Sequence, residues 1–179
     1  MADQDPITPP PTGTGEGAPD SPRAATIAQY IKDLSAESPS APQVFQWQGQ
    51  PSLDVQFGLD GGKVADDVHE VILKIEVTAK SDNGTHFIID LTYAGLFGFQ
   101  NIPEDSLAPF LLVEAPRLLF PFARQIVADA VQNLGFPPLL LDPIDFGAAY
   151  MAQLEAQQQA QEQVTGQPGG DGEPPVGHA

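Results

Sequence analysis

Residues 70–93 read EVILKIEVTAKSDNGTHFIIDLTY, and their reading decides the architecture. Val71, Leu73, Ile75, Val77 and Ala79 alternate with Glu70, Ile72, Lys74, Glu76, Thr78 and Lys80, the period-two pattern of a strand buried on one face. Beyond Asp82-Asn83-Gly84 the pattern resumes, with Phe87, Ile89, Leu91 and Tyr93 set against His86, Ile88, Asp90 and Thr92. The two runs predict an antiparallel hairpin. A two-residue loop would pair odd with even positions and turn one apolar face to water, so a three-residue turn is expected, with Gly84 supplying positive φ. That register opposes Ser81 to Thr85, Val77 to Ile89, Ile75 to Leu91 and, on the outer face, Glu76 to Asp90. Two carboxylates about 5 Å apart in water repel by only about 0.8 kcal/mol, a placement that stability alone does not select.

Working outward, Leu53, Val55, Phe57 and Leu59 alternate with Asp54, Gln56 and Gly58, which predicts a strand over residues 52–59 ended by Gly61-Gly62. A short fourth strand is expected through Leu96, Phe97, Gly98 and Phe99. Helices follow. Asp105 or Ser106 is expected to cap one through Leu107, Phe110, Leu111 and Val113. Pro116 suits the first position of a second, which carries Leu118, Leu119, Phe122, Ile126, Val127, Ala130, Val131 and Leu134, bends at Pro121 and stops at Gly135. Residues 136–144 cannot be regular because of Pro137, Pro138 and Pro143, yet they contain Leu139, Leu140 and Leu141. An apolar loop of this kind needs a surface to lie on or a ligand to share. Asp145 is expected to cap a last helix with Phe146, Ala149, Tyr150 and Leu154, fading at residues 157–159. The fold class is α+β.

The chain has 179 residues with 24 acids against 7 bases, a formal charge of −17. Residues 1–22 hold six prolines, three glycines and four acids with no base, and are read as a disordered acidic tail. Residues 162–179 are read as a second, Gly/Pro-rich tail, leaving residues 23–161 as the domain with a net charge of −10. Such a balance disfavours nucleic acid and anionic membrane as partners, since both are polyanions. The absence of cysteine excludes disulfides, thiolate zinc sites and a cysteine nucleophile. The N-terminus lacks the basic start and apolar core of a signal peptide, and no run approaches the ~20 apolar residues of a membrane span, so a cytoplasmic location is expected. Catalytic chemistry finds few candidates. His86 and Asp90 are four residues apart on a strand, roughly 13 Å, and Asp66-Asp67 reads as a solvated turn. No phosphate loop, nucleophile elbow or metal-ligand spacing is present, so no enzyme activity, catalytic residue, cofactor or metal is expected.

Four stretches resemble the SecB family of bacterial protein-export chaperones. They are Tyr30-Ile31-Lys32-Asp33-Leu34-Ser35 with Glu37, Pro39 and Ala41-Pro42; Ala65-Asp66-Asp67-Val68 into Glu70-Val71; Leu119-Phe120-Pro121-Phe122-Ala123-Arg124; and Phe136-Pro137-Pro138-Leu139 ahead of Pro143-Ile144-Asp145-Phe146. They are colinear from about residue 27 to residue 159. The resemblance implies a four-stranded antiparallel sheet with helices packed on one face, assembled as a homotetramer, a dimer of dimers. It implies an ATP-independent holdase that keeps preproteins unfolded and delivers them to the SecA motor of the translocase. The acidic sheet face of the family docks the basic, zinc-bearing tail of SecA, with contacts that fall by similarity on Asp33, Glu37, Ile88 and Asp90. Glu76 joins them through the register derived above, and Glu70 is expected to share its face. An apolar groove for unfolded client segments is expected from Leu53, Val55 and Phe57 with Phe136, Leu139, Leu140 and Leu141. Three positions depart from the family pattern: Ala36 stands for a usual phenylalanine, Gly49 for a tryptophan, and Ala94-Gly95 for a glycine pair.

The alternative from another class is an acidic adaptor that binds one folded basic protein and has no holdase activity. Burying three or four client side chains at ~2 kcal/mol each gives roughly 6 to 8 kcal/mol before ordering costs, hence micromolar or weaker binding per segment. Tight retention would require several segments held on one oligomer.

Overall fold

The computed structural model describes residues 21–165, with side chains to residue 159. The tail expectations for residues 1–20 and 166–179 lie outside the described residues. Four strands, β1 (Arg23–Glu37), β2 (Ser52–Ala65), β3 (Val68–Ser81) and β4 (Gly84–Gln100), form one antiparallel sheet in the order β1-β4-β3-β2. Val71, Leu73, Ile75, Val77 and Ala79 of β3, together with Phe87, Ile89, Leu91 and Tyr93 of β4, are buried. The helices lie over this inner face, and the even positions face outward.

Along most of the hairpin the register is the one the alternation predicts, with Val77 opposite Ile89, Ile75 opposite Leu91 and Glu76 opposite Asp90. The turn differs. Ser81 opposes Gly84 and Lys80 opposes Thr85, whereas Ala79 opposes Phe87. The loop is therefore the two residues Asp82-Asn83, and His86 is an extra residue in β4 that restores the parity. Only the offset beyond the bulge decides which face is buried, so two different turns satisfy one hydrophobic pattern.

Two further strand expectations are corrected. Leu96 to Phe99 are not a separate strand but the far end of β4, and the fourth strand is β1. As a mostly exposed edge strand with mixed polarity, β1 shows no clean alternation. Strand β2 does not end at Gly61-Gly62 but continues to Ala65. A Cβ on Gly61 would lie 2.3 Å from the Glu70 carbonyl oxygen, so the glycine lets the two backbones pair closely instead of terminating the strand.

The helix α1 (Glu104–Pro109), a π-helical turn at Phe110–Glu114 and α2 (Ala115–Asn133) are contiguous. The expected caps are not used, since the helix begins at Glu104 and holds Asp105 and Ser106 inside its first turn. The prolines at 109 and 116 suggest two separate helices, yet the π turn lies between these two non-donating residues and the run continues. Glu104–Asn133 is thus, by length and composition, apolar enough to cross a membrane, which the segment-by-segment reading missed. In the fold its Leu119, Ala123, Val127 and Val131 are fully buried in the core it shares with the sheet. Its end is set by Gly135 at φ +90°, where Gly135 N donates to Gln132 O and Phe136 N to Val131 O, a Schellman closure. Asp145 caps α3 (Phe146–Thr165) as expected, its Oδ1 accepting from Ala148 N at 2.9 Å. This helix outruns its expected end at the glutamines.

Of the pair Ala94-Gly95, the glycine has no room for a side chain. A Cβ on Gly95 would lie 2.7 Å from Leu119 Cδ2 and 2.9 Å from Phe97 Cε2. Gly95→Val should lower stability by about 1–3 kcal/mol through overpacking between β4 and α2, read as a reduced denaturant midpoint; an unchanged midpoint would refute this packing account.

Candidate functional site

The outer face of the sheet is organised by a second bulge. In β1, Ile31 opposes Tyr93 on the buried side and Asp33 opposes Thr92 on the outer side, so Lys32 is the extra residue. Before it the outward positions are Ala28 and Tyr30; after it they are Asp33, Ser35 and Glu37. The bulge reverses the phase and delivers both acids to the outer face. Three cross-strand rows result. Asp33 lies beside Thr92 and Lys74; Ser35 beside Asp90, Glu76 and Gln56; Glu37 beside Ile88, Thr78 and Asp54. Asp33, Glu37, Glu76, Ile88 and Asp90 are therefore brought together, and Asp54 joins them from β2. Ile88 is 37% exposed in the middle of its row.

Glu70 lies on the same outer face, toward its other end, but differs from these acids in being paired. Lys32 Nζ reaches its two carboxylate oxygens at 3.1 and 2.9 Å, and the Tyr30 hydroxyl donates to it as well. These bonds hold the Glu70 carboxyl below its usual range, the Tyr30 hydrogen bond contributing most and Lys32 next. The same bond raises Tyr30, with burial adding to the shift. Glu70 is thus neutralised locally, by a pair that the alternation does not disclose since Lys32 is the extra residue of the β1 bulge. Among the described residues the other ion pairs are Lys63–Asp66 and Arg117–Glu114, so Asp33, Glu37, Asp54, Glu76 and Asp90 have no cationic partner there.

On the inner face, past the end of β1, a groove of about 440 Å³ opens beside the hairpin turn. Its aromatic wall comes from three places. The 3₁₀ turn Gln43–Gln46 buries Val44 and sets Phe45 5.5 Å from Phe136, while Trp47 meets His86 edge-on at 5.1 Å. The β4 bulge supplies His86, whose Nε2 lies 2.9 Å from Ser81 Oγ, and Phe87 follows it, 5.1 Å from Phe136. The closure at Gly135 projects Phe136, and a Cβ on Gly135 would crowd the Phe45 ring at 3.1 Å. His86 is therefore a groove residue buried behind Trp47, not a neighbour of Asp90 on one strand face. The Ser81 hydroxyl also accepts from Asn83 N at 3.3 Å, so the Ser81–His86 contact buttresses the turn.

The expected client residues divide. Leu53, Phe136 and Leu139 line the groove. Val55 packs against the core, and Phe57 lies further along β2 against Phe120, 6.3 Å away. Leu140 is 66% exposed outside the groove, and Leu141, 5% exposed, is turned into the domain core. Three consecutive leucines in an irregular loop cannot share one direction. The sequence reading missed Val44, Phe45, Trp47, His86 and Phe87 as groove residues. Phe45 and Trp47 fall in a short segment without periodicity, and His86 reads as an outward residue unless the bulge is known.

The family model described as preprotein translocase subunit SecB matches residues 18–158. The chain is 56% identical over 163 residues to the protein-export protein SecB of Sphingopyxis alaskensis, covering 91% of this chain and 90% of that one. It is 51% identical over 169 residues to the protein of the same name from Erythrobacter litoralis, covering 94% and 92%. A Mycobacterium tuberculosis SecB-like chaperone, solved in complex with a ChAD peptide from the HigA1 antitoxin, shares the fold with a TM-score of 0.57 at 20% identity, covering 68% of this chain and 91% of that one.

The Glu70 cluster predicts a pH dependence. Its carboxyl is lowered from 4.5 on folding, so its contribution to stability is complete above that value and is lost as pH falls through the lower folded value. Glu70→Gln should flatten the acid limb of the stability profile, measured as thermal midpoint against pH, and leave the neutral limb with little pH dependence; an acid limb as steep as the parent's would contradict the assignment.

Proposed function

Because the chain belongs to the SecB family of protein-export chaperones, we propose that it is an ATP-independent holdase that binds unfolded preproteins in the apolar groove and delivers them to SecA through the acidic outer face. The observation that carries this reading is the placement of two unlike surfaces on opposite faces of one sheet. The groove offers largely apolar, aromatic walls, which suit apolar side chains of an extended client and make no demand for one sequence. Among the described residues the outer face presents six acids without cationic partners, Asp60 and five around a half-exposed isoleucine. Charge of that kind steers a basic partner, and Ile88 supplies an apolar anchor at its centre. Glu76 opposite Asp90 costs little in water and becomes favourable when a cation sits between them.

The working form is a homotetramer in the cytoplasm, with no direct membrane or nucleic-acid binding and no catalytic step. Two features support assembly. Strand β1 is a fifteen-residue edge, a liability unless covered. Only 28% of the most apolar window of the long helix is buried, with Leu118 and Phe122 exposed on it. At micromolar concentration, size-exclusion with light scattering should give four chains; a monomer would remove the assembly and most of the client surface with it.

Trp47 is the single tryptophan, so its emission reports on the groove. An unfolded, aggregation-prone client should shift that emission and stay in solution without nucleotide, and Phe136→Ala should weaken its binding about tenfold. If the client aggregates equally with and without the chain, the holdase reading fails. A chain that still binds one folded basic protein would then be an adaptor. Replacing Glu76 and Asp90 by lysine should abolish the salt-sensitive part of SecA binding while sparing client binding; unchanged SecA affinity removes the docking reading.

A further inference from the structure

The acidic rows are interrupted by one cation that does not neutralise them. Lys74 lies on the outer face of β3, two residues from Glu76 and diagonal to Asp90, distances of roughly 7–8 Å between backbones that a lysine side chain spans. Yet among the described residues no ion pair involves Lys74. The cause lies on β2. Gly58 stands directly opposite Lys74. A methyl group placed on Gly58 would lie 3.5 Å from Lys74 Cβ and 3.9 Å from its Cδ, and would meet no other residue within 4 Å. Both are ordinary contact distances, so the lysine stem leans against this space on the β2 side, and a side chain larger than a methyl at position 58 would press on it.

Resting on the docking reading above, we propose that Gly58 is a positioning residue: by leaving this space open it parks Lys74 over β2 and keeps Glu76 and Asp90 unneutralised for a basic partner. A β-branched side chain at position 58 takes the place of the stem and turns Lys74 toward the acids. An internal ion pair then competes with the partner for the same carboxylates. Gly58 is in an exposed edge strand, where a side chain pointing outward meets little else, so the effect of substitution runs mainly through Lys74.

The test uses the full chain and a synthetic peptide rich in lysine and arginine, titrated calorimetrically at low and at moderate salt. Gly58→Val should weaken low-salt binding about two- to fivefold, the size of a surface ion pair, and reduce its salt dependence. Adding Lys74→Met, which keeps the stem and removes the charge, should abolish that loss, and binding of an unfolded client should be unaltered throughout. An equal loss in the Lys74→Met background, or no loss at all, overturns the proposal. Gly58→Thr supplies the same branching should the valine variant not fold. Asp90→Lys serves as the control for the parent reading. If it leaves peptide binding unchanged, docking itself fails; if it abolishes binding while Gly58→Val has no effect, only the role of Gly58 falls.

Discussion

The extra residue at His86 is the constraint on which the molecule depends. It sets β4 one place out of step with the turn, so that Phe87, Ile89, Leu91 and Tyr93 join Val71, Leu73, Ile75 and Val77 on the face that α2 covers. With the two-residue loop and without this extra residue, one of the two strands would present its apolar set to solvent, and at ~2 kcal/mol per buried large side chain the loss would exceed the net stability of most domains. The same residue builds the groove. Displaced from the ladder, His86 is pressed under Trp47 and bonded to Ser81. Core register and groove are thus consequences of one insertion.

The Lys32 bulge does the corresponding work on the outer face. It changes which β1 side chains look outward and, through Lys32 and Tyr30, neutralises Glu70 at one end of the sheet. Most of the unpaired acidic character thereby lies toward the end that carries Glu37, Asp54, Glu76 and Asp90, with Asp60 left near Glu70. Because inner and outer side chains alternate along the same strands, the two surfaces share a backbone but no side chains. A change of charge outside need not disturb the groove, and a change of volume in the groove need not disturb the acids.

What the sequence discloses follows from how each element is buried. The central strands β3 and β4 are covered on one face, so their alternation reads directly, including the opposition of Glu76 to Asp90. Gly135 and Asp145 likewise announce helix ends through local chemistry. The edge strand β1 is covered less and bulged twice, so periodicity fails there, and Asp33 and Glu37 are reached by resemblance and not by pattern. Gly61-Gly62 reads as a stop but serves close pairing, since glycine permits either. The groove is least legible. Its walls come from a 3₁₀ turn, a bulge and a loop far apart in sequence, and which of Leu139, Leu140 and Leu141 faces it is decided by packing alone.

Pro137 and Pro138 form part of the groove wall and carry no amide hydrogen. A chain resting against them finds contact area but no main-chain donors, so its backbone is not fixed in direction or register there. Attraction without direction favours short occupancy. For a segment held at about micromolar strength and captured at about 10⁶ M⁻¹ s⁻¹, the dwell time is of the order of one second. Such a wall suits a carrier whose cargo has to leave without the input of chemical energy.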